Sequence, residues 1–226
     1  MTIAVLLAGG SGSRFGADRP KQFLRVAGKS ILAHTIDAFE RHPLIDEIAI
    51  VTRADCIDET RQIVSEGRYT KVKRILTGGK ERYHSSLAAI QAYTDDDDRL
   101  LLHDAVRPFV SQRIITDCVR ALDHYDAVDV AIPATDTIIR VDEHECIIDT
   151  PPRAELRNVQ TPQGFRRGTI RQAYDIGLKD PDFVTTDDCG VVHHYLPHTP
   201  IYVVRGEVAN IKITYPEDLK TLRFED

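Results

Sequence analysis

The chain lacks long apolar runs. None approaches the length that crosses a bilayer, and no secretory leader precedes the first apolar segment. The sequence is therefore expected to be cytoplasmic, with no membrane partner. It also lacks an excess of positive charge. The formal net charge is −6 with histidine neutral, which argues against nucleic acid or an anionic membrane as the main partner and reads as ordinary solubility. Cys56, Cys118, Cys146 and Cys189 contain no CxxC pair. Thiols so widely spaced read as reduced, not as a disulfide frame or a zinc site. No internal repeat, Ser-His-Asp set or Cys-His set stands out. Asp126-Ala127-Val128-Asp129 has the wrong spacing for a DxD metal motif and is placed before its strand.

What is there is a chain of 226 residues, long enough for one α/β domain with a sizeable core. Apolar runs alternate with amphipathic stretches. The pattern predicts strands at Ile3–Leu7, Glu47–Thr52, Val72–Leu76, Arg99–His103 and Ala127–Pro133. It predicts helices over Ile31–Arg41, Ile57–Glu66, Ser85–Tyr93 and Arg113–His124. This alternation implies a Rossmann-like, mostly parallel sheet flanked by helices. From Thr137 to Thr150 the pattern alternates around a polar centre, which predicts a β-hairpin. An isolated hairpin is marginal in water, so this arm, over residues 137–153, is expected to pack against a second copy of the chain. A closing strand, Ile201–Val204, precedes Asn210–Thr214, and Pro216 is expected to start a last helix with Glu217 and Asp218 in its first turn. The run Asp95–Asp98, between a helix and a strand, is expected to be a solvated loop.

The most informative stretch is LAGGSGSRFGADRPKQF, Leu7 to Phe23. Its glycine-rich turn fits neither GxxxxGK[ST] nor GxGxxG, so neither a P-loop nor a dinucleotide fold is supported. Gly9, Gly10 and Gly12 follow the first strand and would let backbone N–H groups approach an anion closely. Arg14 and Lys21 bracket the same space with a planar fork and a point charge. Taken singly, the glycines are also explained by a tight turn and the cations by solubility. Together they sit where open α/β sheets bind ligands, at the carboxyl end of a strand. Asp104 ends the strand RLLLH at that same face, where one carboxylate suits Mg²⁺ beside phosphate oxygens. Gly78-Gly79-Lys80-Glu81-Arg82 reads as a turn leading into a helix. Thr185–Asp188 reads as a helix N-cap. Thr161-Pro162-Gln163 and Lys212 are uninformative singly and suggestive jointly.

In order, LAGGSGSRFG with PKQF, GGKERYHSS, HDAVRPF, DTI, QTPQ, TTDD and NIKIT resemble the polyol-phosphate cytidylyltransferases; the resemblance rests on these seven motifs and runs from the first strand to Leu219. That family holds 2-C-methyl-D-erythritol 4-phosphate and D-ribitol-5-phosphate cytidylyltransferases. The resemblance implies a nucleotidyltransferase-type fold and transfer of CMP from CTP to a polyol phosphate with Mg²⁺ as cofactor. By position, Ala8, Gly9, Gly10 and Gly12 would line the nucleotide, and Arg14 and Lys21 would hold the triphosphate. Gly79, Lys80 and Ser85 fall where the family reads cytosine. Asp104 would bind the metal, and Lys212 would neutralise charge at the α-phosphate. Arg107, Thr137, Arg153 and Thr161 fall where the family grips the polyol phosphate. The arm would cross to a partner subunit, so that Thr137 and Arg153 serve a neighbouring site of a homodimer.

Two substrate branches fit. Gly9-Gly10 and Val106 lean toward ribitol phosphate, whereas ERYHSSLAAI and NVQTPQGF lean toward methylerythritol phosphate, the reading preferred here. A sugar-1-phosphate nucleotidyltransferase shares the glycine-rich loop but not PKQF, QTPQ or the short arm. A non-catalytic nucleotide-binding module fits poorly, because every charged motif position is intact.

Overall fold

The computed structural model describes residues 1–10 and 19–221, so Gly12 and Arg14 lie outside the described residues. Strand β1 (Thr2–Ala8) is buried along its whole length, as expected of a central parallel strand covered on both faces. A small hairpin of β2 (Arg25–Val26) and β3 (Lys29–Ser30) leads into helix α1 (Ile31–Glu40), whose N-cap Ser30 accepts from the Ala33 amide. Then follow β4 (Glu47–Thr52), α2 (Ile57–Gly67), β5 (Val72–Thr77), α3 (Arg82–Ala92), β6 (Arg99–Asp104), α4 (Gln112–Ala121) and β7 (Ala127–Pro133). Each element meets the expected one within a few residues. Helix α3 starts three residues before Ser85 because a reciprocal Glu81–His84 capping box closes its first turn.

Beyond β7, β8 (Arg140–Val141) and β9 (Ile147–Asp149) pair antiparallel as the arm, off the main sheet. Next come β10 (Arg157–Val159), β11 (Gln163–Arg166), α5 (Arg167–Gly177), α6 (Asp188–Tyr195), β12 (Ile201–Arg205) and α7 (Asp218–Thr221). The main sheet runs β5-β4-β1-β6-β11-β7, with β10 and β12 also on β7. Strands β10 and β11 are antiparallel and fill one side of β7, and the break between them is Gln160-Thr161-Pro162. The alternation read from the sequence does not reveal these two strands or α5. The last helix starts at Asp218, not Pro216, and Asp218 Oδ2 caps the amides of Thr214 and Tyr215.

Two apolar layers sandwich the sheet. Ile3, Val5 and Leu7 share one face with residues of α3, α5 and α6, and Ala4, Leu6 and Ala8 share the other with α1 and α4. The alternation of side chains along a strand produces this split. The acidic run is not simply solvated. Asp98 is buried and accepts from the Met1 ammonium at 2.8 Å, and Asp96 pairs with Arg167 and Arg171. Asp129 lies within β7, not before it, and is buried. All four cysteines are free, with only Cys146 exposed.

Candidate active site

The site is built at the carboxyl edge of the parallel strands, where β1, β4, β5 and β6 end. After β1, Gln22 donates to the carbonyls of Ala8 at 2.7 Å and Gly10 at 3.2 Å. This ties the one-turn 3-10 helix Lys21–Phe23 to the start of the glycine-rich turn. Ser85, buried in the first turn and a half of α3, faces both Gly9 and Gly78. A Cβ on Gly9 would stand 3.1 Å from Ser85 Oγ, and one on Gly78 would clash with it outright. Ala8, Gly9, Gly78 and Ser85 thus converge on one cradle, with Gly10, Gly79 and Lys80 exposed at its rim.

Asp104 ends β6 in a nest of cations. Its Oδ2 lies 2.9 Å from Lys212 Nζ and 3.5 Å from Arg107 Nε, and its Oδ1 lies 3.8 Å from Arg82 Nε. Burial opposes the ionised form, but Lys212, Arg82 and Arg107 outweigh it and hold the Asp104 carboxyl well below the usual carboxylate range. Arg107 is itself pushed down by burial, partly offset by Asp104. Its Nε is buried with no hydrogen-bond partner among the described residues. A buried donor that meets its carboxylate only at 3.5 Å is poorly satisfied, and an incoming anion would relieve it.

Arg82 is the main site residue that sequence reasoning passed over as part of a turn. Its NH1 donates to Asp188 at 2.6 Å, and the other oxygen of Asp188 accepts from Tyr174 at 2.7 Å. Burial works against the Arg82 charge, and Asp188 and Asp104 more than restore it. A signal did exist. Arginine in the first turn of a helix opposes the macrodipole, so its presence there calls for another partner. Asp187 caps α6 as expected, its Oδ1 accepting from the Gly190 amide at 2.8 Å.

Of the expected site residues, Asp104, Arg107, Thr161 and Lys212 come together, and Ala8, Gly9 and Ser85 form the adjoining cradle. Thr137 and Arg153 lie in the exposed arm. Arg153 donates to the Thr135 carbonyl, and among the described residues no hydrogen bond or ion pair links either one to Asp104. Among the described residues no three His, Cys, Asp or Glu side chains gather as a metal cage, so any Mg²⁺ here would take its remaining ligands from phosphate and water. An ionised, buried single carboxylate fits that mode of binding.

The family model of 2-C-methyl-D-erythritol 4-phosphate cytidylyltransferase (IspD) matches residues 2–224. The chain belongs to this cytidylyltransferase family. It is 51% identical over 222 residues to the enzyme of that name from Thermobifida fusca, covering 96% of this chain and 89% of the relative. It is 46% identical over 220 residues to a bifunctional ribulose 5-phosphate reductase/CDP-ribitol pyrophosphorylase from Haemophilus influenzae, covering 96% of this chain and 46% of that protein. A crystal structure of 4-diphosphocytidyl-2C-methyl-D-erythritol synthase from Anaerococcus prevotii superposes with TM-score 0.86 at 32% identity, covering 97% of this chain and 95% of that one. Family membership makes the chain a nucleotidyltransferase enzyme with the mostly parallel, helix-flanked fold described above. Among the described residues no helix is long and apolar enough to cross a membrane.

Proposed function

We propose that the chain transfers CMP from CTP to 2-C-methyl-D-erythritol 4-phosphate and releases pyrophosphate. The observation that carries this is the Asp104–Lys212–Arg82–Arg107 cluster beside the Gly9–Gly78–Ser85 cradle, in a chain 51% identical to an enzyme of that name. An oxygen of the substrate phosphate attacks the α-phosphorus of CTP. The new P–O bond forms as the bond to the β-phosphate breaks, and pyrophosphate leaves with the electron pair. The attacking phosphate is already anionic, so the step needs no general base. It needs two anions held together, which preorganised cations provide.

In this reading Ala8, Gly9, Gly10 and Gly12 line the nucleotide, and Gly79, Lys80 and Ser85 read the base. Arg14 and Lys21 hold the triphosphate. Lys212 faces the α-phosphate, and Arg107 offers the polyol phosphate its Nε, which meets Asp104 only at 3.5 Å. Asp104 would hold Mg²⁺, which would supply positive charge to neutralise phosphate oxygens. One domain spans 1–226. Its arm, over 137–153, joins two subunits and carries Thr137 and Arg153 to the neighbouring polyol-phosphate site. The exposed apolar side chains of Ile139, Ile147 and Ile148 on the arm support that contact. A reducing, cytoplasmic setting suits the four free thiols.

The test is pyrophosphate release from CTP and Mg²⁺ with each polyol phosphate. Turnover with methylerythritol phosphate well above that with ribitol phosphate is expected. The 46% identical ribitol-linked relative makes the reverse preference the outcome that would replace this reading. CTP binding without pyrophosphate release from either would mark a non-catalytic module.

A further inference from the structure

Four hydrogen bonds close a ring behind Asp104. Thr161 Oγ1 lies 2.9 Å from His103 Nδ1, and His103 Nε2 lies 3.0 Å from the Arg107 carbonyl. Arg107 NH1 donates to the Asn210 carbonyl at 2.8 Å, and Asn210 Nδ2 donates to the Thr161 carbonyl at 2.8 Å. The ring joins the three segments that carry the charge cluster: the end of β6 with Asp104 and Arg107, the break between β10 and β11, and the stretch leading to Lys212. His103 and Asn210 are fully buried, and Thr161 nearly so.

A carbonyl acceptor fixes the direction of three bonds in this ring. A carbonyl only accepts, so His103 Nε2 must carry a proton toward Arg107. The Asp104 amide donates to Thr161 Oγ1 at 3.1 Å, so the hydroxyl oxygen is already an acceptor and its own proton is left to give. A doubly protonated ring would bury a charge, and the ring is fully buried with its two nitrogens against a hydroxyl and a carbonyl, neither of them a carboxylate. His103 Nδ1 is therefore bare, and the Thr161 hydroxyl proton points at it. The hydroxyl has no second proton to offer a ligand.

We propose that His103 and Thr161 are positioning residues: they spend the Thr161 hydroxyl proton inside the protein, lock the Asp104 amide in place, and so set the spacing of Asp104 from Lys212. The proposal rests on the function proposed above only for its kinetic consequences. It assigns Thr161 a different part from the one expected by resemblance, as a brace under Asp104 and not a hydroxyl donor to the polyol phosphate.

Two measurements test it. Long-range ¹H–¹⁵N NMR of histidine-labelled protein reads the ring directly, with the His103 signals assigned by their loss in His103→Gln. A protonated Nε2 and a bare Nδ1 are expected, with the Nδ1 shift moving in Thr161→Val. A protonated Nδ1 overturns the proposal whether or not the protein transfers CMP. In kinetics, Thr161→Val is expected to lower kcat about tenfold, the scale of one buried hydrogen bond, with the polyol-phosphate KM nearly unchanged. Thr161→Ser should recover most of that loss. His103→Gln should cost a similar factor that does not multiply with Thr161→Val. A polyol-phosphate KM raised tenfold in Thr161→Val at unchanged kcat would make Thr161 a substrate ligand and end the proposal. Failure of the wild type to release pyrophosphate would end the functional reading instead, leaving the NMR result to decide the ring.

Discussion

Lys212 Nζ stands 2.9 Å from Asp104 Oδ2, which is the shortest of the three cation contacts around that carboxylate. Lys212 is 42% exposed on its side chain while Asp104 is 11% exposed. A pair this open contributes little to folding, less than about 1 kcal/mol. In the proposed reaction the same lysine faces developing phosphate charge, where it counts for much more. Lys212→Ala is expected to lower turnover roughly 10²–10³-fold, the scale of one preorganised donor, with the urea midpoint nearly unmoved. The same loss of turnover is expected for Lys21→Ala. Full turnover in either variant, with the fold intact, would remove that residue from the mechanism.

The parallel half of the fold was legible because strand and helix periods alternate cleanly from Ile3 to Pro133. The antiparallel half was not. Strands β10 and β11 are three and four residues long, broken by Gln160-Thr161-Pro162. Neither half carries a full period-2 signal, and helix α5 follows β11 with no turn residue between them. Within the site, Asp104 and Lys212 were legible as charges at strand ends and in motifs. The partners of Arg82 and His103 were not, because they lie 106 residues away at Asp188 and 58 residues away at Thr161. Sequence spacing carries no trace of such contacts.

Asp129 gives a stability prediction with a definite sign. It is buried in β7, and desolvation raises its pKa to about 6, helped by the nearby Asp187 charge, while hydrogen bonds from Gln163 and the Val130 amide pull the other way. A carboxyl raised in the folded state stabilises fully below its unfolded value, ~3.9. That contribution fades as pH rises through 6. Asp129→Asn keeps an oxygen for both donors and cannot ionise. Relative to the wild type, the variant should gain stability between pH 4 and pH 7, by up to about 3 kcal/mol. Urea unfolding of both proteins at pH 4.5, 5.5 and 7 checks this. A difference that stays flat or shrinks with rising pH would mean that Asp129 is not held neutral.

The arm leaves Ile147 63% and Ile148 56% exposed, on a two-stranded hairpin that is marginal in water alone. If a second subunit covers these side chains, Ile147→Asp should place an unpaired charge in the contact and shift the protein to monomer in sedimentation velocity. Pyrophosphate release should fall with it, since Thr137 and Arg153 would no longer reach a neighbour's site. A wild type that sediments as a monomer at assay concentration would overturn the shared site.

Ser85 makes Gly78 and Gly10 unequal although they belong to similar glycine turns. A Cβ on Gly78 would fall inside contact distance of Ser85 Oγ and 3.3 Å from Val51, whereas one on Gly10 meets nothing within 4 Å. Ser85 is buried, so its hydroxyl has little room to turn away. Gly78→Ala is expected to cost about 1–3 kcal/mol, the range for overpacking, and Gly10→Ala about 0.5 kcal/mol or less. Adding Ser85→Ala to Gly78→Ala should restore much of the loss, because the clash is with the hydroxyl. It should not restore the KM for CTP if Ser85 also reads the base. Equal thermal shifts for the two single variants would mean that the cradle is looser than its distances imply, and recovery of both stability and CTP affinity in the double variant would remove Ser85 from the nucleotide site.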